Sequence, residues 1–354
     1  MRLRARWISD AKRRAAGPFA LVPLTILSWL YGAITWAHGA LYRSGLVRAR
    51  RIGCRVVSIG SPVAGGSGKT PTAAWVASRL QERGHEVALA TRGYGRSGRD
   101  PVVVLSDGHR VRSALSEAGD EPALLVGLAP GVPVLVGPDR SVVGLRAISA
   151  FGADVLVLDD GMQHHRLARD VEIVTLDGSD GLGSGRVLPR GPLRERLSSL
   201  HRADAVIVVD GPLGDRDVAR LRRYAPRARC EVARRSARAV RPLAGGRPER
   251  PSWLSGREVG LLCAIARPGS LRRTVETLGA KVVAERSFPD HHVYTVPDLT
   301  GLASEASCWI TTEKDAGKIL PGWIEPGVEL HVLGISLEME SADDFIDWLD
   351  ARVR

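Results

Sequence analysis

A glycine-rich run early in the chain has the residue types and spacing of a phosphate-binding loop. The run, Val63-Ala-Gly-Gly-Ser-Gly-Lys-Thr70, stands between an apolar strand-like segment and a helical pattern. It matches the consensus G-x-x-x-x-G-K-[ST] at Gly68, Lys69 and Thr70, but carries Val63 at the first glycine position. In such loops the amide groups at the start of the helix face phosphate oxygens. The sequence therefore predicts a nucleotide site, with a chance glycine-rich turn as the alternative.

The residues of this loop divide between phosphate binding and metal binding. Glycines allow the unusual backbone angles that a phosphate cradle needs. Lys69 is expected to reach the β- and γ-phosphates, and Thr70 to bind Mg²⁺. The predicted nucleotide-binding residues of the loop are Gly65, Gly66, Ser67, Gly68, Lys69 and Thr70.

An apolar strand-like run that ends in paired acids is the second element of the predicted site. Val155-Leu-Val-Leu-Asp-Asp160 has the pattern of a Walker B strand, whose carboxylates can hold Mg²⁺ directly or through water. The residues that follow place Gln163 and His164 beside the same crevice. Surface acids after a strand are the alternative, but the phosphate loop favours a metal-binding role for Asp159 and Asp160.

Transfer of a phosphoryl group to an alcohol also needs a residue that accepts the hydroxyl proton. Gly119-Asp-Glu-Pro122 provides two acids at a predicted helix start, where they could equally serve as helix-capping residues. Asp290-His-His292 pairs a carboxylate with imidazoles, and the alternative there is a solvated loop. The residues alone leave both segments open as the source of the base.

The N-terminal region predicts an association with a membrane. No Asp, Glu, Lys or Arg occurs between Arg14 and Arg43, and the best helix runs from near Pro23 to about Ala40. Its length of about 27 Å is marginal for crossing a bilayer. Basic residues flank it on both sides and favour a helix lying at an anionic surface over a single span, a cleaved signal peptide or a buried helix. A stripe of small or polar residues runs along the helix: Thr25, Ser28, Gly32, Thr35 and Gly39.

Beyond this helix, strand-like and helical segments alternate, which predicts an α/β fold with a P-loop NTPase-like, mainly parallel sheet and helices on both faces. A Pro/Gly/Arg-rich stretch at 241–251 is expected to be a linker to a second, smaller α/β domain. The predicted domains are a membrane anchor (1–50), a nucleotide-binding domain (51–240) and a C-terminal domain (241–354). Predicted strands cover 55–60, 86–91, 132–136, 154–158, 171–176, 205–209, 259–265, 281–284, 308–311 and 329–333. Predicted helices cover 70–83, 122–128, 140–151 and 216–224, with two more beginning at Pro268 and near Ala342.

Composition narrows the classes of protein. The chain has 354 residues, of which 44% are apolar, so it can build substantial cores. Fifty Lys and Arg against 39 Asp and Glu give a net charge of +11. This charge favours binding to anionic lipid, to a phosphorylated substrate or to nucleic acid, and a compositional bias alone is the alternative explanation. Basic residues are not interleaved with aromatic ones, so nucleic acid is not an expected partner. Four scattered cysteines predict neither a disulfide framework nor a zinc site.

Seven motifs occur in order along the chain: the phosphate loop, Thr91-Arg-Gly-Tyr-Gly95, Gly119-Asp-Glu-Pro122, Asp159-Asp-Gly-Met-Gln-His164, Leu188-Pro-Arg-Gly-Pro-Leu-Arg194, Phe288-Pro-Asp-His-His292 and Thr312-Glu-Lys-Asp315. This series resembles the tetraacyldisaccharide 4'-kinase family. This resemblance implies an ATP- and Mg²⁺-dependent enzyme that phosphorylates the 4'-hydroxyl of a tetraacylated glucosamine disaccharide 1-phosphate, forming lipid IVA in lipid A biosynthesis. It also implies a monotopic protein at the cytoplasmic face of the inner membrane, an acylated disaccharide lipid as partner and no obligate protein partner.

The resemblance also implies roles for individual residues. Asp120 matches the family's proposed base, and His291, preferred over His292, matches the histidine that assists it. Arg92 matches an arginine that contacts phosphate. Lys69 is placed with Asp120 and His291 among the catalytic residues. The implied metal-site residues are Thr70, Glu121, Asp159, Asp160 and Gln163.

Two other classes of function are compatible with the same motifs. One is a membrane-peripheral P-loop NTPase that acts on a protein partner, which predicts ATP hydrolysis without a lipid acceptor. The other is a binding module that holds nucleotide but has lost phosphoryl transfer, and the intact Lys69, Asp120 and Asp160 argue against it. The sequence does not distinguish acyl-chain preference, oligomeric state or the rate-limiting step.

Overall fold

A computed structural model describes residues 21–93, 100–113 and 119–354. Their strands form one twelve-stranded sheet in the order β10-β9-β11-β12-β8-β7-β6-β1-β5-β2-β4-β3. Only the β3–β4 and β8–β12 pairs of this described sheet are antiparallel. The mainly parallel α/β fold predicted from the sequence is thus confirmed. The strands are β1 (Arg55–Gly60), β2 (Val87–Thr91), β3 (Val103–Asp107), β4 (Pro133–Val136), β5 (Val155–Asp159), β6 (Val171–Asp177), β7 (Ala205–Val209), β8 (Arg229–Pro242), β9 (Glu258–Cys263), β10 (Lys281–Ser287), β11 (Cys308–Thr312) and β12 (Glu329–Met339).

The helices of the described residues connect these strands and lie against the sheet. Most predicted helices and strands agree with the observed ones to within three residues. The helices are α1 (Leu21–Arg43), α2 (Lys69–Glu82), α3 (Asp120–Leu128), α4 (Arg140–Phe151), α5 (Asp215–Tyr224), α6 (Pro268–Thr277), α7 (Leu302–Glu305), α8 (Glu313–Ala316) and α9 (Ala342–Val353), with short 3₁₀ helices at Leu197–Arg202, Pro251–Leu254, Val296–Leu299 and Pro321–Trp323.

Strand β8 joins two parts of the sheet, which we call the N-terminal sheet segment (β1–β7) and the C-terminal sheet segment (β8–β12). Residues 229–233 of β8 pair in parallel with β7, and residues 233–242 pair antiparallel with β12. Since β12 runs antiparallel to β8, it points back along β8, and β9, β10 and β11 run parallel to β12. The carboxyl ends of these strands therefore point towards the carboxyl ends of β1, β5 and β6. Loops from the two segments therefore meet across one cleft.

The structure corrects the sequence analysis around this junction. Arg241 and Pro242, expected in a linker, are the last residues of β8, and Val240 forms a further bridge with Glu249. The strand was missed because its arginines interrupt any apolar run: it reads Arg-Cys-Glu-Val-Ala-Arg-Arg-Ser-Ala-Arg-Ala-Val-Arg-Pro. Strand β12 continues six residues past its predicted end, and β3, an edge strand, was also missed.

The C-terminal helix α9 returns to the N-terminal sheet segment. Phe345, Ile346 and Leu349 are buried in the same core as Ile59 of β1 and Leu80 of α2. The apolar face of α9 thus packs against strands that come nearly three hundred residues earlier. The division of the chain into domains at 50 and 240 stays a prediction.

Helix α1 packs against the body of the protein through its small residues. Ser28, Gly32 and Gly39 are buried, and the Ser28 hydroxyl donates a 2.7 Å hydrogen bond to the carbonyl of Val187. The large apolar side chains point the other way, with Trp29 71% exposed. The described residues include no helix long and apolar enough to pass through a membrane. The exposed apolar side chains of the helix are Val22, Ile26, Leu27, Trp29, Leu30, Ile34, Trp36 and Leu41.

Candidate active site

The glycine-rich loop connects the carboxyl end of β1 to the start of α2, at the centre of the N-terminal sheet segment. Gly68 has φ 80°, a conformation that favours glycine, and a Cβ there would lie only 3.0 Å from Val209 Cγ2. The buried Ser67 hydroxyl lies 3.2 Å from Thr175 Oγ1 and fixes the loop to β6. Within the described residues no side chain caps the start of α2. Its amides are therefore arranged to bind an anion.

Lys69 and Thr70 face the predicted Walker B acids. Lys69 Nζ donates to the carbonyl of Gly65 at 3.1 Å and lies 3.8 Å from Asp160 Oδ1. Thr70 Oγ1 lies 3.2 Å from Asp159 Oδ2 and donates to it. The structure thus brings the cation, the hydroxyl and both carboxylates of the prediction to one edge of the sheet.

Asp159 ends the buried strand β5 and is itself only 1% exposed. Burial raises its pKa to about 7, and the negative charges of Glu121 and Asp160 act in the same direction. A cation beside this carboxylate would favour its charged form. Glu121, at the start of α3, is close enough to act on this carboxylate, and its metal-binding role stays a prediction.

The donors at this edge fit Mg²⁺. In the part of the chain that the structure describes, no three or more His, Cys, Asp or Glu side chains cluster closely enough to hold a metal alone. Mg²⁺ typically takes one or two carboxylates from the protein and completes its octahedron with water and phosphate oxygens. Thr70 and Asp159, in mutual contact, supply such a partial set of ligands.

Asp160 and Gln163 are held by a residue to which the sequence analysis gave no role. Arg194 Nη1 donates to both carboxylate oxygens of Asp160, at 2.8 and 2.7 Å, and to Gln163 Oε1 at 3.3 Å. Burial raises the pKa of Asp160, but the charges of Lys69 and Arg194 outweigh it and the net shift is downward. Gln163 Nε2 donates in turn to the carbonyl of Ser61 and to Glu195. The metal-binding roles of Asp160 and Gln163 stay predictions.

Asp120, the first residue of α3, lies at the junction of the two sheet segments. Its Oδ2 is 3.1 Å from His291 Nδ1 and 2.9 Å from Lys318 Nζ. Burial raises the pKa of Asp120, but the contacts with His291 and Lys318 lower it overall. His291 has φ 62°, a strained conformation for a residue with a side chain, and such strain is concentrated at functional sites. The sequence analysis missed Lys318, which stands three residues after the Thr312-Glu-Lys-Asp315 motif.

The neighbouring histidine has different partners. His292 Nε2 lies 3.0 Å from Asp298 Oδ2, and its ring stacks on Phe288 with the centroids 4.6 Å apart. Of the two histidines, the structure therefore brings His291 to Asp120 and directs His292 towards its own segment. Asp290, the third member of this motif, accepts a 2.7 Å hydrogen bond from Lys314 Nζ.

Arg92 directly follows β2, whose carboxyl end lies at the same sheet edge as that of β5. This position is compatible with the predicted phosphate contact, which stays a prediction. Tyr94 and Gly95, the last residues of the motif that begins at Thr91, lie outside the described residues.

Together these features define a class of protein. A glycine-rich loop links a central parallel strand to a helix, Lys69 and Thr70 face an acidic strand end, and a carboxylate–histidine pair adjoins Glu121, whose charge acts on that strand end. The fold and the site are those of a P-loop enzyme of phosphoryl transfer.

Comparison with known proteins identifies the family. The family model described as tetraacyldisaccharide-1-P 4'-kinase matches residues 20–354, and the chain belongs to this family. A tetraacyldisaccharide 4'-kinase from Anaeromyxobacter sp. (strain Fw109-5) is 46% identical over 310 residues, covering 85% of this chain and 83% of the relative. One from Syntrophus aciditrophicus is 39% identical over 340 residues, covering 90% of each. The resemblance noted in the sequence is confirmed.

A solved structure has the same fold. The crystal structure of LpxK from Aquifex aeolicus in complex with ATP superposes with a TM-score of 0.76 at 28% sequence identity, covering 95% of this chain and 99% of that one. The similarity therefore extends over both sheet segments.

Proposed function

We propose that this chain transfers the γ-phosphate of ATP to the 4'-hydroxyl of tetraacyldisaccharide 1-phosphate, forming lipid IVA. Its family and the names of its relatives support this activity. The observation that carries it is the contact of Asp120 with His291, because Glu121, the residue after Asp120, is close enough to raise the pKa of Asp159, which Thr70 contacts. The rival class, an NTPase acting on a protein partner, is not favoured by membership of this family.

The phosphate loop and α2 bind and neutralise the triphosphate. The backbone amides at the start of α2 and the Lys69 ammonium are positioned to stabilise the charge that develops on the γ-phosphoryl oxygens. Thr70 and Asp159 would hold Mg²⁺, which when bound would supply further positive charge beside the phosphates. Arg194 keeps Asp160 oriented beside Lys69.

Asp120 is proposed to act as the base. The sugar hydroxyl loses its proton to the Asp120 carboxylate as its oxygen forms a bond to the γ-phosphorus and the bond to the ADP oxygen breaks. His291, in contact with Oδ2 of the same carboxylate, holds it in place. The products are the phosphorylated lipid, ADP and a proton.

Helix α1 is proposed to hold the enzyme at the cytoplasmic face of the inner membrane. One side of the helix packs against the protein through Ser28, Gly32 and Gly39, so the exposed apolar side can enter the lipid. A tetraacylated substrate keeps its chains in the bilayer, and an enzyme held at the interface needs to lift only the headgroup to the cleft.

The activity is tested by incubating the purified full chain with γ-labelled ATP, Mg²⁺ and tetraacyldisaccharide 1-phosphate in mixed micelles. We expect the label in the lipid fraction and a dependence of the rate on the lipid. Label released as inorganic phosphate at the same rate without lipid would instead support the NTPase class. The Lys69→Met variant is expected to abolish transfer, and Lys281→Met, which alters an exposed lysine on β10, serves as the control.

A further inference from the structure

The Thr312-Glu-Lys-Asp315 motif and the lysine that follows it have no role in the function described so far. The motif forms α8, a single turn after β11, and Thr312 caps it by accepting a 3.1 Å hydrogen bond from the Asp315 amide. Helix α8 lies against α3, the helix that begins with Asp120. The motif is therefore placed to act on the proposed base.

Asp315 is buried and held by hydrogen bonds, so it can anchor Lys318. Its side chain is fully buried, and its Oδ2 accepts hydrogen bonds from the amide of Ala264 at 3.0 Å and the hydroxyl of Thr312 at 2.8 Å. Its other oxygen, Oδ1, lies 3.4 Å from Lys318 Nζ. A buried carboxylate with these bonds holds the ammonium of Lys318 in one place, and the Lys318 side chain is only 11% exposed.

Lys318 connects Asp315 to the proposed base, Asp120. Its Nζ lies 2.9 Å from Asp120 Oδ2, the same oxygen that His291 Nδ1 contacts at 3.1 Å. Two donors from the C-terminal sheet segment therefore converge on one oxygen of a carboxylate on the N-terminal sheet segment. These two groups leave the other oxygen, Oδ1, for the substrate hydroxyl.

The charges explain how a cation can contact a base without abolishing its basicity. Lys318 is shared between two carboxylates, so the trio of Asp315, Lys318 and Asp120 keeps one net negative charge. Asp315 thus offsets much of the electrostatic effect of the ammonium while leaving its geometric effect intact. A misplacement of about 1 Å can lower the rate of a reaction by roughly 100-fold, so fixing the carboxylate is worth the loss of some basicity.

We propose that Lys318 is a positioning residue: anchored by Asp315, it fixes the Asp120 carboxylate so that Oδ1 receives the hydroxyl proton. The proposal rests on the proposed kinase function. Lys314 extends the arrangement, because it holds Asp290, whose Oδ2 lies 3.6 Å from His291 Nε2. The motif thereby supports both donors that contact Asp120.

The test compares Lys318→Met with Lys318→Arg in the full chain. We expect Lys318→Met to lower kcat by about 100-fold and to change KM for ATP by less than about threefold, and Lys318→Arg to recover part of the loss. Lys281→Met is the matched control, since Lys281 is 74% exposed and pairs only with Glu258 in the described structure. The melting temperature of each variant is measured to exclude unfolding.

A double-mutant cycle gives the decisive readout. Positioning predicts that Lys318→Met has less than about a twofold effect once Asp120 is already replaced by Ala, because the two residues act as one unit. Single turnovers with excess enzyme and labelled ATP keep the slow variants measurable. The proposal is overturned if Lys318→Met lowers the rate by the same factor in the Asp120→Ala background as in the wild type. It is also overturned if Lys318→Met raises KM for ATP and leaves kcat unchanged, because Lys318 would then bind phosphate.

The wild-type chain separates this proposal from the function on which it rests. If wild-type enzyme phosphorylates the lipid and Lys318→Met does so at the same rate, only the role of Lys318 is overturned. If wild-type enzyme transfers no label to lipid, the kinase function fails, and the positioning role fails with it.

Discussion

His291 Nδ1 lies 3.1 Å from Asp120 Oδ2, although 171 residues separate them in the chain. Asp120 begins a helix of the N-terminal sheet segment, and His291 belongs to a loop of the C-terminal one. The contact forms because β12 pairs antiparallel with the part of β8 that extends beyond β7. The carboxyl ends of β9–β12 are therefore directed towards the phosphate loop. The proposed base is thus completed only where the two sheet segments meet.

Replacing Asp120 by Ala should affect chemistry far more than nucleotide binding. We expect kcat to fall by roughly 10²- to 10⁴-fold, the usual contribution of a general base, with the Kd for ATP nearly unchanged. Calorimetric ATP titration and single-turnover phosphorylation measure the two effects separately. Unchanged turnover would remove Asp120 from the mechanism.

The two adjacent histidines provide a matched comparison. His291→Ala should lower kcat by up to about 100-fold, because the Asp120 carboxylate loses one of the donors that fix it. His292→Ala should instead lower the melting temperature, because it removes the ring stacked on Phe288 and the contact with Asp298. If His292→Ala lowered kcat and His291→Ala lowered only the melting temperature, His291 would be excluded as the partner of the base.

Two threonines of α2 separate metal binding from packing. Thr70→Val removes a hydroxyl that contacts Asp159, and should raise the Mg²⁺ concentration for half-maximal activity by about tenfold. Thr72→Val is the control: this hydroxyl is buried on the same helix and has no hydrogen-bond partner in the described structure, so its removal should leave the Mg²⁺ dependence unchanged. Equal Mg²⁺ titrations for wild type and Thr70→Val would argue against a role for Thr70 at the metal.

The outward face of α1 should determine membrane affinity. Trp29→Glu places a charge on the exposed apolar side, and we expect binding to anionic vesicles to weaken by at least about tenfold, or ~1.4 kcal/mol. Ser28→Leu changes the side that packs against Val187, and should reduce thermal stability rather than vesicle binding. Vesicle co-sedimentation that shows no loss for Trp29→Glu would indicate another attachment surface.

A salt bridge between the sheet segments should make stability depend on acid pH. Burial raises the pKa of Asp177, but hydrogen bonds from Arg267 and Ser179 lower it overall. A carboxylate with a lowered native pKa stabilises the fold above its unfolded value of about 3.9, and this contribution is lost as pH falls through the native pKa. Asp177→Asn should therefore lower the free energy of unfolding by roughly 1.5–3 kcal/mol at pH 7. The free energy of unfolding of this variant should also depend less on pH in the acid range. An unchanged pH profile by urea denaturation would contradict this account.

The features that could be predicted from the sequence are those encoded in short stretches of chain. The phosphate loop comes just after β1 and the Asp159-Asp160 pair stands at the end of β5, so local spacing places them at the same sheet edge. The small-residue stripe of α1 marks the side of the helix that packs against the protein, where Ser28, Gly32 and Gly39 are buried.

Features that depend on distant pairing could not be predicted in this way. Strand β8 is rich in arginine and gains its pairing from β7 and β12, so no apolar run marks it. Arg194 and Lys318 contact acids far away in the sequence, and neither has a local pattern that reveals its partner. Their presence in or just after family motifs was the available signal.

The most direct test of the central claim is the position of the phosphate on the product lipid. Full-length enzyme, ATP, Mg²⁺ and tetraacyldisaccharide 1-phosphate are incubated to completion, and the purified lipid is examined by phosphorus–proton correlation NMR. We predict a new phosphorus signal coupled to the 4'-proton of the distal sugar, formed by wild type and lost with Asp120→Ala. A product phosphorylated at another hydroxyl, or inorganic phosphate with unmodified lipid, would contradict the account.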